Sequence, residues 1–192
     1  EGVVTFFQTP QSTTTPHLRQ EHLVPLAAIP GAKYSIVAGA YNVVDDKEYS
    51  PLVSTTKENV TDLSVPVPIG PMMALATPLS PADAEFLEDD RFVWALDTPP
   101  APALTIVYVL YPAGDSFSVI WEMIVPGALR EVHLPDLRSL GGLLGLPPNE
   151  VLYWAVIPVA ADAFSIDAFD YNALNQSRWK NYSIAPFVFI TR

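Results

Sequence analysis

The sequence predicts an all-β protein: two antiparallel β-sandwich domains in tandem, with little helix. Three observations carry that expectation. Short apolar runs recur along the 192 residues with turn residues between them, and almost none has helical periodicity. Twenty prolines are spread through the chain rather than gathered in one tract, which suits many short strands and turns. Hydrophobic residues make up 49% and charged residues only 16%, so the chain can bury a sizeable core and is not compositionally disordered.

In chain order, Gly2–Phe7 reads as a strand-like run, followed by a Thr/Ser/Pro turn region. His17–Leu26 mixes polar and apolar residues in the manner of an edge strand. Ala28-Ile29-Pro30-Gly31-Ala32 is a strong turn signal, and Tyr34–Tyr41 reads as a buried strand. Asp45–Glu48 is a polar turn, and the alternation of Asn59–Val67 predicts a strand closing the first domain. Pro66-Val67-Pro68-Ile69-Gly70-Pro71 is the composition break, which places the domains at residues 1–68 and 69–192.

In the second segment Ser80–Ala84 is a turn, and a single helical turn is expected from Glu85. Phe92–Leu96 is a strand, and Pro99–Pro102 a rigid loop. Thr105–Tyr111 puts Ile106, Tyr108 and Leu110 on one face and Val107, Val109 and Tyr111 on the other. Both faces are apolar, so this strand is central or its outer face is covered. Phe117, Val119, Trp121 and Met123 alternate with Ser118, Ile120 and Glu122, the pattern of one half-buried strand. Arg130–Pro135 is another strand, and Asp136 suits the N-cap of a short helix over 136–146.

Leu146–Ile157 is the organising stretch of the second half. A leucine and the turn Pro147-Pro148-Asn149 lead into a dense apolar strand. Its parity puts Leu152, Trp154 and Val156 on one face and Tyr153, Ala155 and Ile157 on the other, so both aromatics are expected in packing rather than ligand binding. Burial of Trp154 is the test of that strand. Pro186–Thr191 closes the chain as the last strand.

Between these two strands the chain runs from Ala160 to Ala185. An ordinary hairpin needs about 2–5 loop residues. This long loop 160–185 carries Phe164, Phe169, Tyr171, Trp179 and Tyr182. Phe169, Tyr171, Trp179 and Tyr182 are the candidate partner-binding residues, because aromatics on a loop held by a rigid scaffold anchor ligands. The competing reading folds the same side chains back over the sandwich edge.

The sequence offers little chemistry. There is no cysteine, which removes thiolate catalysis, Cys-ligated zinc and disulfides. The net charge of -11 disfavours nucleic acid and anionic membrane surfaces. No apolar run reaches the ~18–20 residues of a membrane-spanning helix. No G-x-S-x-G, G-x-G-x-x-G or P-loop pattern occurs. His17 and His22 are five apart, off the same-face spacing of a strand, and His133 sits mid-strand as a structural residue. The acids Asp45-Asp46-Glu48, Glu88-Asp89-Asp90 and Asp162/Asp167/Asp170 are candidate calcium ligands, but none matches an EF-hand loop, and solvated loop acids are the favoured reading. No cofactor, metal or catalytic residue is expected.

From about Pro71 onward the chain resembles the fibronectin type III-like (Ig-like) domains of bacterial envelope and secreted proteins. Leu79–Ala84 followed by Phe92-Val93-Trp94, the segment Val132–Leu137, and Leu146–Val156 carry the resemblance. The last is similar to the family's Leu-x-Pro-x-x-x-Tyr-x-Val approach to its sixth strand. By that spacing Leu152 stands where the family has its corner tyrosine, and Tyr153 fits with a one-residue insertion. Residues 1–68 are similar to small prealbumin-like or carboxypeptidase-regulatory-like β domains, through Ile29–Tyr34 and Val60–Val65. Both resemblances imply adhesion, scaffolding or attachment. The expected function is therefore that of a non-catalytic structural or protein-interaction protein, periplasmic, cell-surface or secreted. It would bind a protein partner or self-assemble. An accessory subunit of a larger cell-envelope or membrane-associated complex, docked or lipid-anchored, fits the same pattern. A carbohydrate-binding module using the loop aromatics on a glycan is the alternative.

Overall fold

The computed structural model describes residues 29–41, 52–97, 100–114, 116–137, 140, 145–162, 164–171 and 179–192. The chain divides into two units, Glu1–Ala32 and Lys33–Arg192. Of the first, the described part is the turn at its end, where the Ala32 N–H donates to the Ile29 carbonyl at 3.1 Å. Pro30 presets the first corner, and Gly31 at φ 77° takes the left-handed second corner of a type II turn. The expected strands at Gly2–Phe7 and His17–Leu26 and the Asp45–Glu48 turn lie outside the described residues.

The described residues of the second unit form ten strands: β1 (Tyr34–Tyr41), β2 (Leu52–Val60), β3 (Thr77–Ser80), β4 (Glu85–Phe86), β5 (Arg91–Ala95), β6 (Leu104–Ala113), β7 (Ser116–Pro126), β8 (Glu131–His133), β9 (Val151–Ala161) and β10 (Trp179–Ile190). Almost no helix accompanies them among the described residues. A seven-stranded sheet has the order β1-β2-β10-β9-β6-β7, with β4 also on β10; a three-stranded sheet has the order β3-β5-β8. Every pairing is antiparallel except that of β4 with β10.

One apolar cluster joins the two sheets. Phe92 and Trp94 of β5 meet Val107 and Val109 of β6, Leu152, Trp154 and Val156 of β9, and Ala185 and Phe189 of β10. Trp154 is fully buried, with its ring 5.1 Å from both Phe92 and Phe187. The expected division of β9 into two faces therefore holds, because Leu152, Trp154 and Val156 share this cluster. Tyr153 points the other way and stacks edge-on against Phe117 at 5.0 Å. The turn before β9 is held by a threonine: Thr191 Oγ donates to the Pro147 carbonyl and accepts from the Glu150 N–H at 2.9 Å. Asn149 fits the same turn with φ 58°.

Several sequence expectations shift. The strand expected at Asn59–Val67 is replaced by β2 at Leu52–Val60. Val53, Thr55 and Thr56 supply β-branched residues opposite β1, whereas Pro66 and Pro68 lack the N–H that a ladder needs. The helical turn expected from Glu85 is β4 instead. Its flanking amides are drawn into tertiary pairing, Ala84 N–H to the Val188 carbonyl at 2.8 Å and Leu87 N–H to the Ile190 carbonyl at 2.9 Å. The helix expected over 136–146 lies largely outside the described residues.

β7 departs from simple alternation. Val109 pairs with Trp121 and Leu110 with Val119, so Ile120 is an extra residue, a β-bulge. The bulge reverses the parity of everything before it. Phe117 therefore lies beside Tyr153 on one face, while Trp121 and Met123 pack against the cluster between the sheets on the other.

The Pro66–Pro71 segment, expected as a boundary, leads into a strap. Asn181 of β10 accepts from the Met73 N–H at 2.7 Å and donates to the Pro71 carbonyl, and Ser183 donates to the Ala74 carbonyl at 2.6 Å. Met73 and Ala76 are buried behind these bonds. Main-chain pairing also crosses the expected 68/69 division, because Leu52–Thr55 of β2 run along Asn181–Ile184 of β10.

Candidate functional site

β9 extends to Ala161 and β10 begins at Trp179, so the connection between them is 162–178 rather than the full 160–185. The strand signal that extends β10 backward is the alternation Asn181, Tyr182, Ser183, Ile184, with polar residues toward the strap and apolar ones on the opposite face. Pro158 and Pro186 do not prevent these long strands. Pro186 lies where β10 has left β2 and not yet met β4, a gap in which a missing N–H costs nothing.

A second apolar cluster occupies the face of the large sheet that does not carry Trp154. Leu104 and Ile106 of β6, Ile157 and Val159 of β9, and Trp179 form its buried part. Tyr108, Ile124, Phe164, Tyr182 and Ile184 pack around it. Both faces of β6 are thus covered, as its doubly apolar pattern requires.

The four candidate residues fall into two pairs. Trp179 is 6% exposed, paired with Ala161 at the root of β10, and its ring meets Tyr182 edge-on at 5.1 Å. Its ring face belongs to the cluster, so Trp179 acts as an anchor and offers no platform for a ligand. Phe169 and Tyr171 form the second pair, also edge-on at 5.1 Å. Tyr171 is 74% exposed, while Phe169 is half-buried. Phe164, carried by the same loop but absent from the candidate set, links the pairs: it packs into the Trp179 cluster and lies 6.3 Å from Phe169. The result is a row of rings that starts in the core and ends at Tyr171 in solvent. Each edge-to-face step orients the next ring through the quadrupole preference of aromatic pairs.

Ion pairs fasten the base of the connection. The Lys180 ammonium contacts Glu58 of β2 and, at 3.4 Å, Asp162. Its pKa is raised above the ordinary lysine value, first by the hydrogen bond to Glu58. Beside it a cleft of about 290 Å³ is lined by Thr55, Lys57, Pro68, Pro71, Lys180 and Asn181 among others. Its lysine at 180 is already committed to two carboxylates and its asparagine to the strap.

Of the residues considered for chemistry, His17, His22 and Asp45, Asp46 and Glu48 lie outside the described residues. His133 is exposed in β8, opposite Arg91 of β5. Glu88 is paired with Arg192 at 3.2 Å. Among the described residues no three His, Asp or Glu side chains converge to hold a metal ion, and no helix is long and apolar enough to cross a membrane. Comparison of the chain with protein-family models, with curated proteins and with solved structures gave no match.

Proposed function

We propose that this chain is a non-catalytic, extracytoplasmic structural or protein-interaction protein, with residues 69–192 forming a fibronectin type III-like sandwich after a small β segment over 1–68. Strand order supports the fold half of this reading. β3-β5-β8 against β7-β6-β9-β10 is the arrangement of three strands over four that the fibronectin type III resemblance implies. Leu152 stands at the position of that family's corner tyrosine, and the Pro147–Glu150 turn is held here by Thr191 from the end of the last strand. In this reading β1 and β2 extend the four-stranded layer past β10.

One observation carries the binding half: the ring row that ends at Tyr171. Phe164 and Trp179 hold its inner end in the second cluster, and Tyr171 stands 74% exposed on the half-buried Phe169. A rigid, amphipathic ring at low conformational cost is the usual anchor of a protein contact. An accessory role in a cell-envelope or membrane-associated complex, with the chain periplasmic, surface-bound or secreted, follows from the same resemblance. The test is affinity capture from the native source with wild type and Tyr171→Ala. The reading expects a partner retained by wild type and released by Tyr171→Ala at unchanged melting temperature. Equal retention by both removes Tyr171 as the contact.

The exposed Tyr171 ring also favours a second reading, stacking on a sugar face. Glycan-array binding abolished by Tyr171→Ala would establish it; absence of binding to any glycan would exclude it.

A further inference from the structure

β7 ends the seven-stranded sheet. β6 pairs one of its edges, and no described strand pairs the other. Such an edge presents a row of free N–H and C=O groups to any extended chain, and proteins ordinarily blunt it with lysines, prolines or bulges. Here the bulge at Ile120 and Pro126 at the strand's end bracket an unprotected run, Trp121-Glu122-Met123-Ile124-Val125. Glu122 is the one charged residue in β7, and it accepts a hydrogen bond from the Tyr108 hydroxyl at 3.1 Å. A second observation concerns the core. Trp121, Met123 and Val125 pack against the cluster between the sheets yet remain half-buried, so that cluster is open along this edge. A strand laid beside Trp121–Val125 would satisfy the ladder and cover the cluster together.

The run is its own complement. In a two-fold antiparallel pair whose axis is normal to the sheet, directly opposed residues lie on the same face, so the axis passes through a residue position. An axis at Glu122 would oppose two carboxylates. An axis at Met123 sets Trp121 against Val125, Met123 against its own copy and Glu122 against Ile124. That register keeps the core-facing side apolar across both copies and opposes no like charges. We infer that β7 is a self-association edge, at which two copies of this chain pair antiparallel through Trp121–Val125 with Met123 on the axis. This names the partner within the interaction reading above and rests on it.

The chain has no cysteine, so Met123→Cys introduces a single thiol. Opposed residues of an antiparallel pair have Cα atoms about 4.5–5.5 Å apart, inside the roughly 4.4–6.8 Å that a disulfide spans. Val119→Cys is the control: its side chain is 56% exposed but lies beyond the bulge. Wild type is expected to sediment at twice the monomer mass at micromolar concentration. Under mild oxidation Met123→Cys is expected to cross-link at least about tenfold faster than Val119→Cys, because the opposed thiols share a far higher effective concentration. If Met123→Cys melts abnormally, an equimolar mixture of Glu122→Cys and Ile124→Cys reports the same register, cross-linking faster mixed than either alone. A monomeric wild type overturns the proposal, as does cross-linking of Val119→Cys at the rate of Met123→Cys. A wild-type dimer in which neither cysteine test responds overturns this edge while leaving the interaction reading standing.

Discussion

Trp154 shows how a single side chain reports the layer it belongs to. It is fully buried between Phe92 and Phe187, so Trp154→Ala should destabilise the protein by about 3–5 kcal/mol. Chemical denaturation checks this, and an effect below that range would mean the site collapses around the smaller residue. Gly127 makes a sharper case. A Cβ there would lie 2.0 Å from the Pro102 carbonyl oxygen, and the Gly127 N–H already donates to Ala103. The obstacle is backbone, so it does not swing aside. Gly127→Ala should therefore cost about 1–3 kcal/mol or more by overpacking, read as a lowered denaturation midpoint. Tyr108 carries a pH signature. Its hydroxyl is pushed up to about 12 from 10.0, first by burial, then by the Glu122 charge and its hydrogen bond. The folded state holds this proton more tightly than the unfolded state does. Tyr108's contribution is thus complete below about pH 10 and is lost as the pH rises toward 12. Ultraviolet titration of tyrosinate should show a late phase that Tyr108→Phe removes, and Glu122→Gln should move it earlier while burial keeps it above 10.

At the scale of elements, the strap and the bulge carry most of what is particular to this chain. Asn181 satisfies the Met73 N–H and the Pro71 carbonyl together, its amide oxygen accepting from the first and its amide nitrogen donating to the second. Asn181→Ala leaves the Met73 N–H without its acceptor and should cost about 1–3 kcal/mol. Limited proteolysis should then cut within residues 66–76 before the strands. Cleavage elsewhere first would show that the strap is held by Met73 and Ala76 burial alone. The Ile120 bulge turns a strand that alternates perfectly in sequence into one whose two halves face opposite ways. Alternation was legible at Phe117–Met123; the extra residue was not, since nothing local distinguishes Ile120 from its neighbours. Only pairing with β6 on one side of Val109 and on the other reveals it.

Across the whole molecule, β10 is the joint. It pairs with β2, β9 and β4 and holds the strap on its side chains. A fragment comprising residues 69–192 keeps β9 and β4 but loses β2 along Asn181–Ile184 and the Glu58 partner of Lys180. It should melt several degrees below the full chain while still unfolding cooperatively, as calorimetry would show. A fragment that does not fold would mean that β2 is part of the minimal structure. The same fragment retains β3–β10 and with them the β7 edge proposed for self-association, so it also tests whether that edge acts alone.

The sequence by itself determined the β class, most of the strands from Arg91 onward, and the two faces of β9. Each is written locally, in apolar period and in the position of turn residues. It also singled out the aromatics of the last connection, although it grouped Trp179 with Tyr171. Tertiary structure separated them, burying one as an anchor and leaving the other exposed, because exposure depends on which face of a distant strand a ring meets. It also recruited Glu85–Phe86 into β4, moved β2 to Leu52–Val60, and turned a proline-rich break into a strap under Asn181 and Ser183. In each case the deciding partner lies far along the chain, and a local pattern holds no record of which backbone group will find which donor.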